Sequence, residues 1–138
     1  MSHFLKIRTQ MKEREHVVQA LRDLHYQFQE GQDLVVRGYA GNRERAKIVV
    51  NTQCAYDIGL RRAGEVYEAV ADWDYGVAGN SPLRIEGQRI RQENFIQQIG
   101  RQYSYNLIHA YAKETVKVVE SEEELANGDM IIVLADRG

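Results

Sequence analysis

The chain has 138 residues, of which 43% are hydrophobic and 28% charged. That is the size and composition of one globular domain, and it argues against a disordered chain or a second domain. The 18 basic and 20 acidic residues leave a formal charge of −2, without the basic excess that phosphate neutralisation demands of a nucleic-acid binder.

Other exclusions follow from the same inventory. No apolar run approaches the roughly 18 residues needed to cross a bilayer. The opening residues Met1 to Lys6 lack the charged and apolar regions of a secretory signal. A single cysteine, Cys54, cannot form an internal disulfide and fits a reducing compartment. The expected location is the cytoplasm or an equivalent interior such as the plastid stroma, with no membrane span and no nucleic-acid partner.

In chain order, Ser2–Thr9 alternates as a strand. Val17, Leu21, Leu24 and Phe28 then recur at steps of four, three and four, which predicts a helix from near Glu13 to just before Gly31. Acidic Glu13 and Glu15 suit its first turn. Leu34–Tyr39 reads as a strand ending at the turn Gly41-Asn42, and Ala46–Val50 as a second. Tyr56–Arg61 and Val66–Trp73 read as a hairpin about Ala63-Gly64. Asp74 to Gly87, rich in glycine, reads as the longest loop.

A long helix is expected from about Gln88 to Lys113, striped by Ile96, Ile99, Tyr103, Leu107 and Tyr111, with Gly100 a place to break or pack closely. The preferred variant starts it near Leu83, with Glu86 in its first turn. Val116–Val119 and Met130–Leu134 are the last two strands, joined through the turn signal Asn127-Gly128. The order β-α-β-β-β-β-α-β-β predicts an α+β domain: a mainly antiparallel sheet with two helices on one face. It also hints at a duplicated βαββ unit.

No nucleophile motif, phosphate loop or metal-ligand spacing occurs, so the expectation is a non-catalytic protein without a cofactor. The four histidines are not spaced as ligands to one metal, and Cys54 reads as a small strand residue rather than a nucleophile. Asp57 and Asp72, on successive strands of the hairpin, could share a face, and ion pairing with Arg61 and Arg62 is the favoured reading over acid–base work. Arg84, Arg89 and Arg91 would crowd the start of the long helix, where cations are disfavoured unless an anion binds. The eight tyrosines suit interfaces as well as core margins, and the edge Trp73-Asp74-Tyr75-Gly76 is the expected exposed aromatic group. Glu120, Glu122, Glu123 and Glu124 read as a solvated strand end.

Several of these segments, taken together, carry a resemblance: Met1-Ser2-His3-Phe4, Val36-Arg37-Gly38-Tyr39-Ala40-Gly41, Tyr56-Asp57-Ile58-Gly59-Leu60-Arg61, Ala71-Asp72-Trp73 and Gln102-Tyr103-Ser104-Tyr105-Asn106. The chain resembles the hypothetical chloroplast reading frame thirty-five family, also called domain of unknown function 1257, found in cyanobacteria, plastids and other bacteria. The resemblance covers nearly the whole chain. It implies no established activity; it implies an accessory protein whose relatives occur beside AAA-class ATPases and ferredoxin-like proteins. Tyr39, Tyr56, Asp57, Arg61, Asp72, Tyr103 and Tyr105 match the family, and with Trp73 they are the candidate partner- or ligand-binding residues. The expected function is an adaptor acting by protein contacts, with a homodimer through an open sheet edge as one form of contact. The alternative is a small-molecule or anion-binding domain using Arg84, Arg89 and Arg91.

Overall fold

The computed structural model describes residues 4–114, 117–126 and 129–136. Five strands form one antiparallel sheet: β1 (Leu5–Arg8), β2 (Gln27–Arg37), β3 (Arg43–Asn51), β4 (Ile58–Ala63) and β5 (Val66–Ala71). They lie in the order β1-β5-β4-β3-β2. Helices α1 (Arg14–Asp23) and α3 (Gln92–Glu114) cover one face, as the α+β reading expects. Register explains the core. Ile48 pairs with Leu60 and Leu60 with Ala69, while Val50 pairs with Ile58 and Ile58 with Ala71. All six are buried on the helical side, against Val17 and Leu21 of α1 and Phe95 and Ile99 of α3.

The other face holds a smaller cluster of Val36, Ala46 and Val70, with Phe4 and Val49 packed against it. Gly59 sits beneath it on β4. A methyl at position 59 would come within 2.5 Å of Val36 Cγ2 and 3.1 Å of Val70 Cγ1, so only a hydrogen fits.

The first helix ends earlier than its hydrophobic period suggests. His25 adopts φ 64°, its N–H donates to Arg22 O at 3.0 Å, and the Tyr26 N–H donates to Leu21 O at 3.0 Å. These two bonds make a Schellman cap, with histidine in the left-handed position that glycine usually holds. The chain then reverses into β2, where Phe28 pairs with Val50 and still packs against the core. Tyr26 and Phe28, two apart, satisfy the apolar demand with strand spacing instead of helical spacing.

The stretch before the long helix also differs. After a π-helical turn at Trp73–Val77 and the single turn α2 (Ala78–Asn80), the chain forms a hairpin of β6 (Arg84–Ile85) and β7 (Gln88–Arg89). Glu86 and Gly87 at its tip both have positive φ, 51° and 79°, the requirement of a type I′ turn. Neither the start near Gln88 nor the preferred start near Leu83 therefore holds: α3 begins at Gln92. Asn94 Oδ1 accepts the Arg91 N–H at 2.9 Å there, the reciprocal half of a capping box. The helix runs through Gly100 without a break.

The last strands, β8 (Lys117–Glu124) and β9 (Met130–Asp136), pair antiparallel in a sheet of their own. Among the described residues the second half thus does not repeat the first, whose β2 and β3 belong to the main sheet. The turn signal Asn127-Gly128 lies outside the described residues, as do His3 and Val116. No helix among them is long and apolar enough to cross a membrane.

Candidate functional site

Two places gather the residues that the sequence singles out. The first is the corner where β2 leaves the sheet. Asp57 immediately precedes β4 and is 5% exposed; its Oδ2 accepts the Arg37 N–H at 2.9 Å. Its two oxygens also accept Arg37 Nε and Nη2, each at 2.9 Å, a fork-on-carboxylate geometry. The hydrogen bond to Asp57, outweighing partial desolvation, raises the Arg37 pKa. Arg37 Nη2 reaches on to Cys54 O at 3.2 Å.

Two residues along, the Tyr39 N–H donates to Oδ2 of Asp72, which is 1% exposed, at 3.0 Å. The two aspartates therefore do lie together, as the hairpin register implies, and bind N–H groups two residues apart on one departing strand. Gly76 lets the π-helical turn close on them: a methyl there would lie 3.1 Å from Asp72 Cβ and 3.3 Å from the Tyr56 ring. Thr52 Oγ1 donates to Tyr56 O, and Ser81 Oγ donates to Thr52 O at 2.6 Å. Cys54 Sγ lies 3.1 Å from Thr52 Oγ1 within this loop. The polar groups of this corner are spent on holding backbone, so its chemistry is that of a staple.

The expected partners of the aspartates stand elsewhere. Arg61 bridges Glu68 at 2.8 Å and Glu44 at 3.2 Å across three strands. Partial burial lowers its pKa, but the hydrogen bonds to Glu68 and Glu44 outweigh that and raise it. Arg62 Nη1 donates to Lys12 O and Glu65 O. Arg37, which the sequence reading overlooked, takes the place assigned to them. Trp73 is buried in the core and not exposed, whereas Tyr75 beside it is 65% exposed and Tyr39 49%.

The second place is α3 and the β8–β9 hairpin beside it. Tyr103 is buried and its hydroxyl accepts the N–H groups of Lys12 and Glu13 at 3.1 and 3.0 Å, fixing the approach to α1. Tyr105 and His109, whose rings lie 4.3 Å apart, both reach Glu122 Oε1, at 3.1 and 2.7 Å. Burial, and then the bond to Glu122, raises the Tyr105 pKa. Arg101 Nη1 donates to Glu124 at 2.7 Å. Two glutamates of the acidic run are thus latches onto α3 rather than a merely solvated end. The Tyr26 hydroxyl also donates to Gln98 of α3, and burial pushes its pKa to about 12.

Between hairpin, α3 and the segment Arg8–Met11 lies an open groove of about 820 Å³. Ile96, Gly100, Ser104, Leu107 and Ile108 of α3 line it, with Met130 and Ile132 of β9 on the hairpin side. Gly100 is the informative residue, because a methyl built on it would meet nothing within 4 Å. Among the described residues, five of the eight large hydrophobic side chains that stand exposed belong to this lobe: Leu107, Tyr111, Leu125, Ile131 and Val133.

The arginines do not crowd the helix start together. Arg84 and Arg89 face each other across the β6–β7 hairpin, and Arg91 at the cap of α3 lies 3.7 Å from Glu93. One cluster escaped the sequence reading: Glu13, Glu15 and His16, exposed acids and a half-buried histidine at the first turn of α1, have potential ligand atoms within 4.8 Å of one another. His16 pairs with the two carboxylates at 3.2 and 3.6 Å. Comparing histidines only with one another could not reveal it; the acidic neighbours were the signal.

Fold and groove define the class: a small α+β domain in which two helices back a five-stranded antiparallel sheet and a separate hairpin flanks an open groove. The chain belongs to the family described as "Protein of unknown function (DUF1257)", whose model matches residues 20–133, in agreement with the resemblance read from its motifs. It is 33% identical over 115 residues to "Uncharacterized protein ycf35" of Guillardia theta, covering 83% of this chain and 81% of that protein. It is 27% identical over 108 residues to the protein of the same description from Cyanophora paradoxa, covering 78% and 76%. No solved structure matches the chain.

Proposed function

We propose that this protein is an accessory adaptor acting by protein contacts, with the groove along α3 as its docking surface. The observation that supports the reading is Gly100. Glycine inside a helix costs about 1 kcal/mol relative to alanine, and nothing among the described residues needs the space it leaves. A partner side chain or backbone that approaches α3 closely would need it. The proposed compartment is a reducing one, cytoplasm or plastid stroma, consistent with the free thiol of Cys54.

Gly100→Leu separates binding from folding, because leucine is a good helix former and the space above position 100 is open. The variant is expected to melt above the wild type, by about 1 kcal/mol of added stability, while losing the partner. Tagged wild type and variant would be compared as baits in native lysate, and against purified AAA-class ATPase and ferredoxin-like proteins. A captured set that is identical for the two baits, or empty for both, would remove the reading.

A second reading, anion binding, rests on Arg84 and Arg89. Like charges directly opposed in a hairpin repel, and no carboxylate among the described residues is paired with either. A bound phosphate group would relieve that repulsion. Millimolar inorganic phosphate or nucleotide is then expected to raise the melting temperature of the wild type and not of Arg89→Ala. Flat melting curves for both proteins would dismiss it.

A further inference from the structure

The hairpin carries a second surface, distinct from the groove. Strand β9 pairs with β8 on one side, and among the described residues no strand pairs with its other edge. From Met130 to Ala135 it holds no charged residue. Its side chains divide by parity: Met130 and Ile132 line the groove, while Ile131 and Val133 point away and are 45% and 41% exposed. The other free edges are protected. β1 is four residues long and carries Lys6 and Arg8; β2 carries Glu30, Asp33 and Arg37 and has a register irregularity between Glu30 and Leu34. β8 presents Glu120, Glu122, Glu123 and Glu124. Charges and bulges of this kind block edge-to-edge pairing; in β9 the one charge, Asp136, stands at the very end, and the register irregularity of its ladder, between Val119 and Ser121, falls on β8.

We infer that β9 is a homodimer interface, pairing antiparallel with β9 of a second copy to make a continuous four-stranded sheet, β8-β9-β9-β8. The inference does not rest on the groove reading. An uncharged, apolar edge is best matched by an uncharged, apolar strand, and β9 is the one free edge of that chemistry among the described strands. Antiparallel pairing of a strand with its own copy is isologous and closes after two subunits. With Ile132 at the two-fold axis, Ile131 of each copy faces Val133 of the other, joining their exposed side chains in one apolar stripe. The acidic β8 strands fall on the two outer edges, where they stop further growth of the sheet. A two-stranded hairpin is marginal by itself, and four strands are not.

Sedimentation velocity over a range of concentrations tests this on the full chain. The wild type is expected to dimerise. Ile131→Lys and Val133→Glu, each at an exposed position, should weaken the dimer about tenfold or more while leaving far-UV circular dichroism unchanged. The double variant Ile131→Lys/Val133→Glu should regain dimerisation, since the lysine of each copy then faces the glutamate of the other. A wild type that remains monomeric at all concentrations overturns the inference and leaves the edge to a different strand. So do single variants that dimerise like the wild type, and a double variant no better than the singles overturns the proposed register. Dimerisation together with failed capture by the groove would sink only the adaptor reading.

Discussion

Asp57→Ala is expected to destabilise the protein by about 3 kcal/mol, the range for breaking a buried charge-assisted contact. Three hydrogen bonds from Arg37 end on this carboxylate, two from the guanidinium and one from the backbone N–H. The backbone bond decides the size of the effect. Arg37 is half-exposed, so its guanidinium can return to water, but its N–H sits where β2 leaves the sheet and has no substitute acceptor in alanine. Asparagine at position 57, which retains an acceptor for that N–H, should therefore cost clearly less than Asp57→Ala, whereas Arg37→Ala, which strands a buried carboxylate without its cation, should cost at least as much. Chemical denaturation of the three variants measures the order. Equal losses in Asp57→Ala and Asp57→Asn would mean that the ion pair, and not the backbone staple, carries the energy.

Phe95→Ala should cost about 3–5 kcal/mol, the range for large-to-small changes of an aromatic core residue. Phe95 is fully buried, with its ring 5.5 Å from Tyr26 and 5.9 Å from Trp73. It joins three elements: α3, the strand entry after α1, and the π-helical turn behind the aspartate corner. Trp73 is the only tryptophan, so its emission reports on this contact directly. The variant should show red-shifted emission, as water reaches the indole, along with the lower denaturation midpoint. Unchanged emission with lowered stability would place the damage at the Tyr26 side of the ring.

Where periodicity is unambiguous, the elements were legible. Val17, Val18 and Leu21 mark α1, and the alternation from Tyr56 to Trp73 marks the hairpin that brings Asp57 and Asp72 together. The end of α1 was not legible, because Leu24 and Phe28 fit a helical stripe and a core-facing strand equally well. The capping signal is His25, a residue seldom used in the left-handed position that stops the helix. The β6–β7 hairpin hid for a related reason: Glu86 occupies a positive-φ turn position usually given to glycine or asparagine. Of the candidate site residues, Asp57 and Asp72 did meet, but their contacts came from Arg37 and Tyr39, twenty and thirty-three positions away.

Sequence alone therefore determined the class of the domain, the order of its main elements and its family, because these depend on local period and on motifs read in line. Tertiary structure alone decided which cation meets which carboxylate, that Gly100 faces open space, and that β9 has an unprotected edge. Each of those depends on the distance between residues remote in the chain, and on what is left uncovered once the core has closed, which no local pattern encodes.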